Sequence, residues 1–186
     1  MADDAEWNMN WSHGGVPLDL IKPKLLVIGY GRHGKDTVSE ILCREMGLNY
    51  QSSSEFCAGH VMFPTLSKKY GYKDVDECYN DRHNHRQEWY EMISAYCGSD
   101  LARLGREIFQ KFDIYCGLRN KREWSSMKNE HVYDYAIWVD RSDYLPPEDE
   151  TSNSMQPWMA DFYLDNNGTL EDLEYNVKTL IKNRLI

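Results

Sequence analysis

Short aliphatic runs alternate along the chain with segments whose apolar residues recur every three or four positions. The short runs are brief and are bounded by glycine or polar residues, which is typical of strands buried on both faces. Five strands are predicted this way, over residues 24–28, 49–52, 113–118, 135–139 and 161–164. Strands that alternate with amphipathic helices predict a parallel sheet covered by helices on both faces.

The predicted helices begin at serine or acidic residues and end at glycine or before proline. The first ends at Gly47, and the second runs from a capping serine toward Phe63 and stops before Pro64. The helices are predicted over residues 35–46, 53–63, 74–80, 81–96, 100–111, 120–130 and 170–186. The middle of the chain is therefore helical and polar.

Two segments show neither the apolar runs of strands nor the three- and four-residue spacing of helices. Residues 1–21 hold four acidic residues and no Lys or Arg, so we expect an acidic, mobile tail. Residues 141–160 hold three prolines and several acids and are predicted to form a loop or lid. The remainder, residues 22–186, has the length of one domain, with a helical acceptor-binding insert at about residues 56–111.

The charge of the chain is uneven. A net charge of −9 argues against a surface built throughout to grip nucleic acid. Residues 140–174 hold ten acidic residues against one arginine, whereas residues 82–122 hold eight Lys and Arg against five Asp and Glu. A chain with this asymmetry can still hold an anion at its middle.

The cysteines and the apolar runs indicate a reduced, soluble protein. Five cysteines are an odd number, and they show neither a C-x-x-C pair nor zinc-ligand spacing. The first twenty residues lack the pattern of a signal peptide, and the apolar runs are far shorter than the ~20 residues that cross a bilayer. We therefore expect neither zinc nor a membrane partner.

Residues 29–37, Gly-Tyr-Gly-Arg-His-Gly-Lys-Asp-Thr, contain the strongest functional motif. They match G-x-x-x-x-G-K, and they follow a buried strand and open a helix, as a phosphate-binding loop (P-loop) does. Backbone N–H groups of such a loop and the helix dipole hold phosphate, and the lysine neutralises the β- and γ-phosphates. The motif predicts ATP or GTP, bound by Gly29, Gly31, Arg32, His33, Gly34, Lys35, Asp36 and Thr37. A tight strand-to-helix turn that binds nothing is the alternative.

Asp36 departs from the common motif, which has Ser or Thr at this position to bind Mg²⁺. A carboxylate can hold hydrated Mg²⁺, so Asp36 is a predicted metal ligand. Asp140, which follows the fourth strand, is a second candidate ligand, with a surface ion pair to Arg141 as the alternative. Gly-Lys-Asp-Thr resembles the loop of phage deoxynucleoside monophosphate kinases and of animal phosphomevalonate kinase, which implies that Thr37 touches the α-phosphate.

The turn after the last strand carries a weaker likeness. Residues 165–173 resemble the last strand and turn of nucleoside monophosphate kinase relatives such as dephospho-coenzyme A kinase. That resemblance implies that Asn167 lies beside the adenine. A surface turn at Asn-Gly is the alternative.

Three polar residues at or after strand ends, Glu55, Arg119 and Asp140, are candidates on the acceptor side, because ligands of parallel sheets lie beyond the carboxyl ends of the strands. Glu55 is a candidate general base, with a first-turn helix acid as the alternative. A phosphate acceptor is already ionised near neutral pH, so Glu55 favours an alcohol. Residues 142–160 contain no arginine that could stabilise the transferring phosphoryl group. Either an arginine elsewhere does so, namely Arg119, Arg32, Arg122 or Arg141, or the segment is not a catalytic lid.

A group of cations in the middle predicts an acceptor-phosphate site. Four side chains share one face of the helix predicted for residues 81–96: Arg82, His85, Arg86 and Trp89. Two arginines four positions apart repel each other unless an anion lies between them. The next helix adds Arg103 and Arg106. The alternative is a solvated face whose charge is balanced by Glu88 and Glu107.

Five segments together resemble phage 5-hydroxymethyluracil DNA kinases, which are relatives of thymidylate and deoxynucleotide kinases: residues 32–38, 54–56, 81–86, 113–119 and 165–168. The likeness covers about residues 22–182. It implies a P-loop three-layer α/β sandwich with a five-stranded parallel sheet, similar to nucleoside monophosphate kinases. It also implies ATP and Mg²⁺, and transfer to the hydroxymethyl group of the modified base in DNA, during thymine hypermodification in the cytoplasm of an infected bacterium.

A base within a duplex must be flipped out before it reacts, and exposed aromatic rings assist this. Phe56, Trp89 and Tyr115 are candidates, with a place in the core as their alternative. Two other functions stay open. The Gly-Lys-Asp-Thr loop and the arginines also fit a kinase of free deoxynucleoside monophosphates, and Asp36 with the arginine-free segment fits a non-catalytic nucleotide-binding module.

Overall fold

The computed structural model describes residues 22–185 and contains a five-stranded parallel sheet. The strands are β1 (Leu25–Ile28), β2 (Tyr50–Ser52), β3 (Ile114–Cys116), β4 (Tyr135–Asp140) and β5 (Phe162–Asp165). Their order is β2-β3-β1-β4-β5, so β1 is central and its carboxyl end lies between those of β3 and β4. The predicted parallel sheet is confirmed. The expected mobile tail of residues 1–21 lies outside the described residues.

Helices fill the connections between strands. They are α1 (Lys35–Met46), α2 (Ser53–Cys57), α3 (Phe63–Tyr70), α4 (Val75–Asp81), α5 (Arg86–Cys97), α6 (Arg103–Phe109), α7 (Lys121–Asn129) and α8 (Leu170–Leu180). Two π-helical turns cover Ala58–Met62 and Ile181–Leu185, and two 3₁₀ turns cover Arg82–Asn84 and Pro157–Met159. Helices α2 to α6 all lie between β2 and β3 along the chain.

Pro64 does not end the second helix, contrary to the prediction. The backbone stays right-handed helical at Met62 and Phe63, and Pro64 occupies the first turn of α3. Proline is tolerated there because its missing N–H is not needed in the first turn. The helix ends instead at Gly71, which has φ of 78° and ψ of 21°.

The helix predicted over residues 81–96 is interrupted, and the prediction of one shared face is wrong. Arg82 lies in a 3₁₀ turn, His85 has non-helical φ and ψ of −126° and 30°, and α5 begins at Arg86. The carboxylate of Asp81 accepts hydrogen bonds from Asn84 Nδ2 at 2.6 Å and His85 Nε2 at 3.0 Å. These local side-chain bonds compete with a continuous helix.

Alternate residues of the strands pack into two separate apolar layers. Leu25 and Val27 pack with residues of α1 and α8, whereas Leu26 and Ile28 pack with residues of α2 to α7. The predicted three-layer α/β sandwich is therefore confirmed. The described helices include none that is long and apolar enough to cross a membrane.

The three aromatic residues proposed to assist base flipping belong to this core. Phe56, Trp89 and Tyr115 are 3%, 7% and 1% exposed. A buried ring cannot offer its face to a flipped-out base, so the core alternative is correct for all three. Trp89 in particular cannot bind an acceptor, which corrects its predicted role.

Glu123 turns from α7 into the core, and its titration makes stability depend on pH. Tyr115 donates its hydroxyl hydrogen bond to Glu123 Oε1 at 2.9 Å. Burial raises the pKa of the Glu123 carboxyl from 4.5 to about 7. The contribution of Glu123 to folding stability is fully present below pH 4.5 and is lost as the pH rises through about 7, because the carboxyl ionises first in the unfolded state.

We therefore expect Glu123→Gln to be more stable than the wild type above about pH 7 and nearly equal to it below about pH 4.5. Glutamine keeps an oxygen that accepts from Tyr115 and carries no charge. Urea unfolding at several pH values measures the difference in unfolding free energy. Exposed Glu171→Gln is the matched control, and a Glu123→Gln difference that stays constant with pH would contradict the assignment.

Candidate functional site

The loop between β1 and α1 needs glycine at two positions. Gly29 and Gly34 have φ of 149° and 92°, and Arg32 between them is also left-handed, with φ of 64°. A Cβ on Gly29 would lie 2.5 Å from the carbonyl oxygen of Val139, and one on Gly34 would lie 2.3 Å from Asn166 Nδ2. Both distances are too short, so only glycine lets the loop pack against the ends of β4 and β5.

Lys35 lies beneath this loop as the first residue of α1. Its ammonium donates to the carbonyl oxygen of Tyr30 at 2.6 Å, and the residue is 9% exposed. Burial lowers the pKa of Lys35, and the charge of Arg119 adds to this, whereas the charges of Asp36 and Glu148 oppose it. Asp36 and Arg119 thus lie close enough to Lys35 for their charges to act on it, and the shared catalytic role of the three residues stays a prediction.

Asp36 extends toward the carboxyl end of β3. Its Oδ1 accepts a weak hydrogen bond from Cys116 Sγ at 3.4 Å. Burial, and then the charge of Asp36, raise the pKa of the Cys116 thiol to about 12, so that group stays protonated. Within residues 22–185, the other carboxylate oxygen of Asp36 makes no hydrogen bond.

The residues around Asp36 fit a hydrated magnesium ion. The described residues contain no group of three or more His, Cys, Asp or Glu arranged to hold a metal. Mg²⁺ keeps most of its waters and needs only one or two carboxylates beside the phosphates, so a single exposed carboxylate is sufficient. Asp36 remains the predicted ligand.

Glu148 lies across the loop, and the sequence prediction missed it. Its Oε2 accepts from the Gly31 backbone N–H at 2.7 Å and from Asn153 Nδ2 at 3.1 Å. Its Oε1 accepts from Arg119 Nη1 at 2.8 Å. Burial acts to raise the pKa of Glu148, but hydrogen bonds from Asn153, Arg119 and Gly31 outweigh it, so the pKa lies below its usual value. An ionised carboxylate therefore occupies donors that the loop can offer to an anion.

The same segment is anchored at its other end to the β3–α7 connection. Ser154 N–H donates to the carbonyl oxygen of Arg119 at 2.9 Å, and Lys121 N–H donates to Ser154 Oγ at 2.9 Å. Asn153, which is 1% exposed, also donates to the carbonyl oxygen of Gly29 at 3.2 Å. Residues 141–160 thus fold over the loop and hold Arg119 in place.

Asp140 is engaged on the β5 side of the sheet. Its Oδ2 accepts from Ser142 Oγ at 2.6 Å and from Asn167 Nδ2 at 3.2 Å. Arg141 does not pair with Asp140 but donates to the carbonyl oxygen of Asn166 at 2.8 Å. The metal role of Asp140 stays a prediction, and its surface ion pair is not formed.

Asn166, the neighbour of the predicted Asn167, reaches the phosphate-binding loop. Its Nδ2 donates to the carbonyl oxygen of His33 at 2.9 Å. The ring of His33 is fully buried, and its Nδ1 accepts from the Arg141 N–H at 2.9 Å. Asn167 instead donates to Asp140 and Asp165. The two residues are adjacent in one turn, and the sequence alone offers no signal that separates them.

Glu55 lies on the same edge of the sheet as Asp36. Ser52 at the end of β2 pairs with Cys116 at the end of β3, and Ser52 Oγ caps α2 by accepting from the Glu55 N–H at 3.2 Å. The Glu55 carboxylate is exposed and accepts from Gln51 Nε2 at 3.1 Å. Glu55 thus lies one helical turn beyond the strand end, accessible to a substrate.

The predicted acceptor-phosphate cluster is not formed as expected. Arg106 pairs with Asp100 and Glu130, and it lines a surface cleft with Lys24 and Val132. Those last two residues precede β1 and β4, so the cleft lies at the amino-terminal edge of the sheet, opposite the loop. The prediction for Arg106 is therefore wrong.

The other three arginines also have partners within the chain. Arg103 pairs with Glu107 at 2.9 Å and donates to the Tyr96 carbonyl oxygen at 2.7 Å. Arg82 donates to the Tyr79 carbonyl oxygen and stacks on its ring, while Arg86 contacts His83 at 3.4 Å. Acceptor binding by Arg82, Arg86 and Arg103 stays a prediction.

Comparison with known proteins finds no matching protein-family model and no matching curated protein. Among solved structures, the chain is similar to shikimate kinase from Aquifex aeolicus, with 13% identity, 87% of this chain and 97% of that chain covered, and a TM-score of 0.49. It is similar to shikimate kinase from Acinetobacter baumannii in complex with shikimate (13% identity, 88% and 96% covered, TM-score 0.49). It is also similar to a gluconokinase from Sinorhizobium meliloti (12% identity, 87% and 95% covered, TM-score 0.42). At these identities and scores the likeness does not bear on activity.

The contacts of Glu148 predict that it competes with any anion bound at the loop. We expect Glu148→Gln to bind ATP about tenfold more tightly than the wild type, which is about 1.4 kcal/mol. A neutral amide holds Gly31 N–H and Arg119 more weakly than a carboxylate does. Isothermal titration calorimetry measures this dissociation constant.

Glu150→Gln is the matched control, because Glu150 carries the same charge in the same segment and is exposed. If both variants tightened binding equally, the effect would come from net charge alone. That result, or unchanged affinity in Glu148→Gln, would contradict the competition.

Proposed function

We propose that this chain is an ATP-dependent phosphotransferase whose acceptor is an alcohol. The loop between β1 and α1 carries the proposal. It combines a buried lysine at a helix start, left-handed turns that only glycine permits at two positions, and the Gly31 N–H that already holds a carboxylate. Loops with these features bind nucleotide phosphates.

Each residue of the site has a role that phosphoryl transfer requires, namely positioning and charge neutralisation. Lys35 neutralises the β- and γ-phosphates, and Arg119 stabilises the transferring phosphoryl group once Glu148 has left it. Asp36 would hold a hydrated Mg²⁺ ion, which would supply positive charge to neutralise the phosphates. Glu55 accepts the proton of the attacking hydroxyl group.

Two observations favour an alcohol over a phosphate as acceptor. Glu55 offers an exposed carboxylate at the correct edge of the sheet, which an alcohol needs and an ionised phosphate does not. Arg106 lies at the opposite edge and Arg103 is paired with Glu107, so two of the four arginines proposed for an acceptor phosphate are engaged elsewhere.

The acceptor that we propose is the 5-hydroxymethyl group of 5-hydroxymethyluracil in DNA. The support is the resemblance of five segments to phage 5-hydroxymethyluracil DNA kinases together with the candidate base Glu55. A kinase of free deoxynucleoside monophosphates is the second candidate, supported by the Gly-Lys-Asp-Thr sequence at residues 34–37.

The test of the function is transfer of label from γ-labelled ATP to DNA that contains 5-hydroxymethyluracil. We expect the wild type to label the polymer and Lys35→Ala to lose the activity, because phosphate neutralisation is removed. Lys68→Ala, an exposed lysine on α3, is the control. Label found only on free mononucleotides would reject DNA as acceptor, and no Lys35-dependent transfer to any acceptor would reject the kinase.

The role of Glu55 has its own test. We expect Glu55→Gln to lower kcat about 10²- to 10⁴-fold and to remove the acidic limb of the pH–rate profile, with little change in the KM for ATP. Steady-state kinetics across pH provides both readouts. Exposed Glu40→Gln is the control, and a Glu55→Gln enzyme with near-normal kcat would favour a phosphate acceptor.

A further inference from the structure

Helix α7 has two faces of opposite character. Met127 is fully buried, and Glu123, four positions before it, turns to the same side and accepts a hydrogen bond from the core residue Tyr115. The outward residues Lys121, Arg122 and Lys128 are exposed cations. Since the one acidic residue of α7 is turned inward, the outer face carries cations near both ends of the helix and no acidic residue.

These cations have no carboxylate partner within the part of the chain that the structure describes. Among residues 22–185, ion pairs form at Arg103, Arg106 and Arg119, but none forms at Lys121, Arg122 or Lys128. An unneutralised basic face is unexpected in a chain with a net charge of −9. Its positive charge is complementary to a polyanion.

Aromatic rings are interleaved with the cations. Lys121, Trp124 and Lys128 follow one helical stripe, and Lys128 Nζ lies 5.0 Å from the centre of the Trp124 ring. Trp158 packs edge-on against Trp124, with 6.1 Å between ring centres, and is 71% exposed. An exposed ring beside cations is the arrangement on which unpaired bases stack while Lys and Arg follow the phosphate backbone.

The face also adjoins the candidate site. Helix α7 begins two residues after Arg119, which contacts Glu148 at the phosphate-binding loop. The segment that carries Trp158 is tied to the start of α7 by the Lys121 N–H bond to Ser154. A strand lying along α7 would therefore extend toward the loop and Arg119.

We propose that the outer face of α7 together with Trp158 binds an unpaired polynucleotide strand next to the base that is phosphorylated. The inference rests on the proposed function, and it adds where the polymer binds. Lys121, Arg122 and Lys128 contact phosphates, and Trp158 stacks on a base. This face also reconciles DNA as a substrate with an acidic chain, because the phosphate contacts are confined to one helix.

The test is binding of a fluorescently labelled oligothymidylate of about 12 nucleotides to the full chain, measured by anisotropy at several salt concentrations. We expect Trp158→Ala to weaken binding tenfold or more. We expect Lys121→Gln with Lys128→Gln to weaken it and to reduce the slope of log affinity against log salt by about 1.4. The control pair Lys68→Gln with Lys182→Gln changes the charge equally elsewhere, and Lys121→Arg with Lys128→Arg should retain binding.

This binding test does not depend on phosphoryl transfer, because the oligothymidylate lacks the hydroxymethyl group. If the wild type binds and the α7 and Trp158 variants bind equally well, the face is rejected while the kinase proposal stands. Failure of the wild type to bind the oligonucleotide also rejects the face. In transfer assays, Lys121→Gln with Lys128→Gln should raise the KM for DNA and leave transfer to the free nucleoside 5-hydroxymethyldeoxyuridine unchanged. A loss of activity on both acceptors would contradict a role in DNA binding.

Discussion

Close packing of the β1–α1 loop against the ends of β4 and β5 is the constraint on which the candidate site depends. Val139 and Asn166 leave no room for a side chain at Gly29 or Gly34. With glycine at both positions the loop stays in contact with the sheet and closes over Lys35. The positions of Asp36 at the start of α1 and of Arg119 after β3 are set relative to that closed loop.

The positions of the charged residues in the fold explain the uneven charge of the chain. The acidic segment before β5 supplies Glu148, which neutralises Arg119 and occupies the Gly31 N–H while no other anion is bound. An arginine-free segment can therefore still take part in a phosphate site, by holding an arginine that belongs to another connection. The cations of the middle region separate into arginines on α6 that form ion pairs and a face on α7 that forms none with residues 22–185.

The sequence predicted the sheet, α1 and the phosphate-binding loop because these depend on short-range signals, namely apolar runs and glycine spacing. It failed where particular side-chain contacts decide, some of them local and others between residues far apart in the sequence. The recurrence of apolar residues every three or four positions does not reveal the Asp81 hydrogen bonds that break the helix at residues 82–84. The spacing of apolar residues in a helix also does not show which end of the helix lies near the loop. Arg106 was therefore predicted at the acceptor site, although it lies at the opposite edge of the sheet. Glu148 lies 117 residues from its partner Gly31 in a segment without period, and only the surplus of acids there hinted at it.

The central claim is that the loop and Arg119 form a phosphate site that Glu148 fills in the absence of nucleotide. A crystal structure with Mg²⁺ and a non-hydrolysable ATP analogue tests it most directly. We expect a phosphate oxygen within about 3 Å of the Gly31 N–H and of the Arg119 guanidinium, with Glu148 displaced from both. A nucleotide bound elsewhere while Glu148 keeps its contacts with Gly31 and Arg119 would contradict it.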